Sequence, residues 1–172
     1  PEIQEKVYDE LTEVIGNHEV TFDRIQDLKY MDMFIAECLR LNKTFNAHER
    51  LCTKDYKIPG TSFVIPKGRF VRIYVRSMAG AEGNFVNPGE FDPENCNPKN
   101  NPSKFAQMIF GQGPRNCIGM RYAIITMKVS LVYLLLRHRV VRCDKTNDKL
   151  VLDAKNPTVF KGGVFVKIEK RA

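Results

Sequence analysis

The 172-residue sequence is poor in metal-ligand chemistry. It has three histidines, at positions 18, 48 and 138, far apart along the chain. Its five cysteines, at 38, 52, 96, 117 and 143, include no C-x-x-C pair. That excludes a zinc ribbon and a dithiol redox site. His48 and Cys52 have ligand-like spacing, but two ligands do not make a zinc site. An odd cysteine count fits a reducing compartment better than a disulfide framework. Blocks of like charge are also missing. The net charge is +7, yet Lys and Arg are scattered and acidic residues run among them, which argues against a nucleic-acid partner. No apolar run is long enough to cross a bilayer: "VSLVYLLL" ends at Leu136 and is flanked by Lys128 and Arg137. The opening "PEIQEKVYDEL" is charged and amphipathic, unlike a signal peptide. It starts in mid-helix without an initiator Met, so further sequence is expected upstream. There is no internal repeat and no low-complexity tract.

What is present reads as a mainly helical chain with short strands. Ile3, Val7, Leu11 and Val14/Ile15 recur at helical spacing, predicting a helix over 3–15 that Gly16-Asn17 stops. Thr21 is placed to cap a short helix running to Leu28, and a longer helix is expected over 30–42. "FVIPKG" and "RFVRIYVRS" predict two short strands around a Pro-Lys-Gly turn. Residues 80–101 are rich in Gly, Pro and Asn and read as a long ordered meander, with Phe85 and Phe91 favouring order. A helix over 118–137 has apolar residues around nearly its whole circumference, which belongs in the centre of a larger protein. The tail, "KLVL" and "VFVKIE" about "KNP", reads as a β-hairpin.

The chemistry gathers at "FGQGPRNCIG", from Phe110 to Gly119. Cys117 stands just before the all-round apolar helix. A helix N-terminus presents unpaired N–H groups and positive partial charge, and these favour a thiolate, as does nearby Arg115. Gly111 and Gly113 allow a tight backbone turn, and Gly119 lets a flat group approach without meeting a Cβ. The loop looks made to hold a thiolate beneath a bulky, planar, metal-bearing partner. The other four cysteines read as small buried hydrophobes.

These residues fit the pattern F-x-x-G-x-R-x-C-x-G through Phe110, Gly113, Arg115, Cys117 and Gly119. With "ERLCTKD" and "FVIPKG", the chain resembles the C-terminal third of a cytochrome P450, a haem-thiolate monooxygenase. It is most similar to the animal drug- and sterol-oxidising subfamily. The fold implied is α+β and mainly helical, with small β-sheets, a meander and a long buried helix after the cysteine loop. Residues 1–172 would be one C-terminal fragment of a single domain. The resemblance implies haem b (iron protoporphyrin IX) with Cys117 as axial ligand; thiolate ligation pushes electron density toward iron and favours O–O cleavage. It implies Arg115 and Arg50 on the haem propionates, Phe110 and Gly111 beside the sulfur, and Ile118, Gly119 and Ala123 along the proximal haem face. Glu37 and Arg40 match the family's E-x-x-R pair, one turn apart on one helix face. Thr44, Phe45, Asn46 and Ala47 match a substrate-facing strand start, and Lys155 to Thr158 a substrate-facing hairpin tip. The implied partners are an apolar small-molecule substrate and a flavoprotein reductase fed by NADPH, attracted by Lys104, Arg121 and Lys128. The implied location is the cytosolic face of the endoplasmic reticulum membrane, reached only through an upstream segment.

The pattern breaks in places. Asn95 stands where the family has an arginine after F-D-P-E, and asparagine cannot make a charged bidentate contact. Lys43 replaces a common proline. The usual His-Arg-Asp stretch is absent at Met78-Ala79-Gly80-Ala81. A haem site weaker than usual is therefore expected. The family's distal oxygen-binding helix would precede this chain, which alone is expected to be inactive. Two other readings stay open: a truncated, non-catalytic haem-binding remnant, and an enzyme using Cys117 as nucleophile. The second lacks a histidine within twenty residues of Cys117.

Overall fold

The computed structural model describes residues 1–42, 47–81, 83–100, 108–153, 156 and 159–171. Helix α1 (Glu2–Val14), the short α2 (Phe22–Gln26) and α3 (Lys29–Leu41) come first. Strands β1 (His48–Leu51), β2 (Tyr56–Lys57), β3 (Val64–Ile65) and β4 (Phe70–Ile73) follow, then one helical turn, α4 (Val75–Met78). Next come the meander and the cysteine loop, each with a 3-10 turn, at Pro93–Cys96 and Gly113–Arg115. Helix α5 (Met120–Leu135) leads into β5 (His138–Val141), and β6 (Lys167–Lys170) lies near the end.

One apolar cluster joins three helices. Val7, Leu11 and Ile15 from the α1 segment meet Leu28, Met31 and Ile35 along α3 and Val132 and Leu135 of α5. Their spacing of three and four residues puts each set on one helix face. Gly16, at φ +51°, ends α1 in the left-handed conformation that a Cβ disfavours, and its N–H bonds Leu11 O at 3.0 Å. The Thr21 hydroxyl accepts from the Arg24 N–H and caps α2.

Charged side chains stitch these helices where the backbone leaves polar groups unpaired. The Glu10 carboxylate of α1 accepts from the Tyr30 and Met31 N–H groups at 2.6 and 2.9 Å, at the helix end that favours negative charge. The Lys128 ammonium of α5 is buried; it donates to Ile25 O at 3.0 Å and Leu28 O at 3.2 Å and pairs with Asp32 at 2.7 Å. Lys128 therefore corrects the sequence reading that gave it to a reductase-facing surface. Helix α5 buries Lys128, Val132 and Leu135, while Tyr122 and Tyr133 remain exposed.

The strands form three antiparallel pairs, β1 with β4, β2 with β3, and β5 with β6. Two short strands, β3 and β4, do flank the Pro-Lys-Gly turn, which the Arg69 N–H closes on Pro66 O at 3.3 Å, and that turn carries the chain from one sheet to another. Gly68, at φ +83°, makes that passage, with its N–H on Cys52 O at 2.7 Å. The expected tail hairpin is corrected. Leu152 and Phe160 make one isolated bridge, and β6 pairs with β5 instead. The reason is the β-branched "RVV" just after α5, which offers an extended edge. That sheet is tied to α1: Gln4 exchanges two hydrogen bonds with Val140, and the Arg171 guanidinium grips Glu5 at 2.8 and 3.1 Å over the Tyr8 ring.

The meander is fastened to α3 by Glu37 and Arg40. Both are fully buried and paired at 2.6 Å. Arg40 also donates to three meander-side carbonyls, Ala79 at 2.8 Å, Pro88 at 2.7 Å and Glu90 at 3.1 Å, and lies over the Phe85 ring. Phe91 meets Phe34 edge-on. Glu37 further accepts from the Asp92 N–H, the Asn95 amide and the Cys96 thiol. Burial pushes the Glu37 carboxyl up, but the Arg40, Asp92 and Asn95 hydrogen bonds outweigh it and hold the group below its ordinary 4.5. A carboxyl lowered by folding stabilises the native state above its unfolded value, and this is lost as pH falls through the folded one. Acid titration by circular dichroism is expected to show stability falling below about pH 4.5, with a flatter profile in Glu37→Gln. Arg40→Ala strands a buried carboxylate. It is expected to cost about 3–5 kcal/mol, seen as a drop of about 10 °C in Tm.

Candidate functional site

The cysteine loop closes on itself through the backbone. The Cys117 N–H donates to Phe110 O at 2.7 Å, Gly111 N–H to Met108 O at 3.0 Å, and Asn116 N–H to Gly113 O at 3.1 Å. Both ends of the ten-residue motif therefore meet at the loop base. Gly111 and Gly113 have φ of +76° and +78°, which explains the choice of glycine at each. At Gly111 a Cβ would also stand 3.5 Å from Asn116 Cα. Pro114 lies in the single 3-10 turn that runs from Gly113 to Arg115.

Beyond this turn the sulfur stands in the open. Of the five cysteines, Cys117 alone is exposed. Its carbonyl accepts from the Met120 N–H at 3.3 Å, which places it one turn before α5. Ile118 is wholly exposed. A Cβ on Gly119 would lie 4.0 Å from Cys117 Sγ, with no other neighbour so close among the described residues. Glycine thus leaves free ground beside the sulfur, and the exposed Arg115 flanks it. A soft sulfur donor, open space and an adjacent cation fit a flat, metal-bearing, anionic group such as haem.

On its inner side the loop rests on the helices. Half-buried Phe110 shares a small cavity of about 200 Å³ with Ile35 and Leu39 of α3 and Met120 and Ile124 of α5. Half-buried Ala123 lies on the first turn of α5. A further anchor comes from β1. The His48 ring donates from Nε2 to Met108 O at 2.6 Å, and its Cε1 is 3.9 Å from where a Gly111 Cβ would be. Sequence reasoning misses this contact, because spacing sets His48 only beside Cys52. The Cys52 thiol instead donates to Lys54 O at 3.0 Å. Nothing in the local pattern around His48 announces its partner, which is sixty residues away.

Arg50 lies two residues beyond His48 and so on the same strand face. It is exposed, with Nη1 donating to Glu49 O at 2.8 Å. Ala47, half-buried, leads into β1, while Thr44, Phe45 and Asn46 lie outside the described residues. So do Lys104, Lys155, Pro157 and Thr158. Arg121 is exposed on α5.

The remaining thiols are set apart from this chemistry. Burial, with the Glu37 charge beside it, pushes the Cys38 thiol up to about 11. The buried Cys96 thiol donates to Glu37. Buried Asn95 makes one hydrogen bond to Glu37, at 3.2 Å, where an arginine could supply several. Beside it opens a cavity of about 510 Å³ lined in part by Asn84, Phe85, Asp92 and Glu94.

The cytochrome P450 family model matches residues 1–165. Among curated proteins, the chain is 36% identical to cytochrome P450 6j1 of Blattella germanica and 34% identical to cytochrome P450 3A12 of Canis lupus familiaris. These alignments cover 98% and 99% of the chain. They cover 34% of each relative, so the chain spans about a third of their length. With the match running through both the buried Glu37–Arg40 pair and the loop that presents Cys117, the chain belongs to the cytochrome P450 family.

Proposed function

We propose that this chain is the haem-binding, proximal part of a haem-thiolate monooxygenase, a C-terminal fragment of one P450 domain. The observation that carries the reading is the single exposed sulfur, Cys117, held by the backbone at the glycine-framed start of α5. When bound there, haem b supplies reductive activation of O2 and insertion of one oxygen atom into an apolar small molecule. The chain's own residues bind, orient and shield. Cys117 gives its sulfur to the iron. The Phe110–Cys117 backbone bond fixes that sulfur, and Gly111, Ile118, Gly119 and Ala123 shape the surface around it. Arg115, and Arg50 on the His48 face of β1, meet the propionates as planar cations suited to carboxylates. Glu37 and Arg40 secure the meander behind the loop.

In the complete protein, electrons come from NADPH through a flavoprotein reductase. Arg121 is the exposed cation of α5 that faces such a partner in this reading. Substrate contact falls to the segment before β1, including Ala47, and to residues 155–158, among them Asn156. The location that fits this partner is the cytosolic face of the endoplasmic reticulum membrane. On its own the chain is inactive. A second reading, a non-catalytic haem-binding remnant, draws on Asn95, whose neutral amide makes one hydrogen bond to Glu37 where an arginine would make charged ones.

Three results test the proposal. Haem titration is expected to protect Cys117 from iodoacetamide, with Cys38 and Cys96 unreactive throughout. The reduced carbon-monoxide complex of the wild-type chain is expected to absorb at the thiolate position. Cys117→Ser is expected to lose that band; an unchanged spectrum rejects the ligand assignment, and no haem uptake by the wild type rejects both haem-binding readings. Asn95→Arg is expected to slow haem loss to apomyoglobin several-fold by adding charged hydrogen bonds worth about 1.5–3 kcal/mol each.

A further inference from the structure

The cavity of about 510 Å³ beside Asn95 has the size of a small-molecule site. Its wall is rich in hydrogen-bond acceptors and poor in donors. Asn84, Asn95 and Asn100 line it, and each spends its amide N–H on protein. Asn95 donates to Glu37 at 3.2 Å, Asn84 to Met78 O at 2.9 Å and Asn100 to Glu94 at 3.5 Å. Their side-chain oxygens accept nothing among the described residues. Asn95 is only 8% exposed, where an unbonded amide oxygen is costly. That oxygen is not sealed in protein. The one enclosed side-chain atom without a partner, among the described residues, is His138 Nδ1. The Asn95 oxygen therefore opens on the cavity that Asn95 lines.

Two carboxylates complete the wall. Asp92 accepts from the Glu94 N–H at 3.0 Å, and Glu94 from the Asn97 amide at 2.9 Å. Each meets only neutral donors, and Asp92 Oδ2 and Glu94 Oε1 make no bond among the described residues. No ion pair among the described residues includes either group. Their charge is felt nearby: burial, with the charges of Asp92, Glu94 and Glu10, pushes the Tyr30 phenol up. A metal ion suits this wall poorly. No group of three or more His, Cys, Asp or Glu able to hold one occurs among the described residues, and the space far exceeds a single ion. The Phe85 ring, on the same wall, favours a flat and weakly hydrated cation. A planar cation with several N–H donors can serve carboxylate and amide oxygens together.

We infer that this cavity is a binding site for a small organic cation carrying a guanidinium or amidinium group. Asp92 and Glu94 pair its charge, and Asn84 and Asn95 accept its N–H groups. Its occupation ties residues 83–86 to residues 92–97 and stiffens the meander around Glu37. The site stands whether or not Cys117 carries haem.

The test is guanidinium chloride, at millimolar levels far below denaturing ones, added to the full haem-free chain. Sodium chloride and calcium chloride at equal ionic strength, and urea at equal concentration, are the controls. Guanidinium is expected to raise Tm saturably, by about 3–6 °C at about ten times its dissociation constant. The three controls are expected to leave Tm unchanged. Amide hydrogen exchange is expected to slow most in residues 83–86 and 92–97. Asp92→Asn combined with Glu94→Gln keeps the acceptors and removes the charge, and is expected to abolish the rise. Asn95→Arg puts a tethered guanidinium into the cavity and is expected to abolish it too. The inference is overturned if guanidinium does no more than sodium, or if urea or calcium gives the same rise. It is also overturned if the slowed exchange lies elsewhere, or if either folded variant keeps the wild-type response.

Discussion

The Glu37 carboxylate is the fixed point of the meander. Five donors converge on it: two from Arg40, the Asp92 backbone, the Asn95 amide and the Cys96 thiol. A buried charge is costly unless its lone pairs are filled, and this one is filled from two parts of the chain, its own helix and the 92–96 stretch. Arg40 is as fully engaged, through Glu37 and the carbonyls of Ala79, Pro88 and Glu90. Without the pair, a Gly- and Pro-rich segment with little regular hydrogen bonding of its own would lose these bonds to α3 and keep the Phe34–Phe91 contact.

A second set of constraints turns the helices into a platform for the cysteine loop. Glu10 caps α3, and Lys128 satisfies the carbonyls at the end of α2 and the start of α3. These contacts fix α5 against α3, and Phe110 and Met120 rest between them. His48 then ties the loop base to β1. The sulfur of Cys117 is thus positioned from below by helices and from the side by a strand, while its outer face stays open. Asn95 is the weaker place in this frame, because a neutral amide makes one bond to Glu37 beside a sizeable cavity.

Much of this is legible in the residues. Helical periodicity locates α1 and α3 to within a residue or two, and Gly16 and Thr21 mark a stop and a cap that the backbone uses. The cysteine loop is legible because glycines at fixed offsets around one thiol encode backbone shape directly. Strand pairing is not. Two-residue strands carry almost no pattern, so nothing in the sequence marks β1 and β2 as partners of β4 and β3. The tail suggests a local hairpin because the turn signal at "KNP" is near in sequence, yet β6 pairs with β5. Lys128 looks solvated because charge usually is, and nothing beside it in sequence names Ile25 or Leu28.

The sequence by itself determined the local features: which segments coil, where helices start and stop, and that one cysteine sits in a rigid glycine frame. Those depend on side-chain size, φ preference and apolar spacing over a few residues. The tertiary structure alone decided which strands meet, that Glu37 and Arg40 are wholly buried, that Lys128 is internal, and that Cys117 alone among the thiols stays open. Those depend on contacts between residues tens of positions apart, and no short-range pattern records which distant carbonyl a buried charge will find.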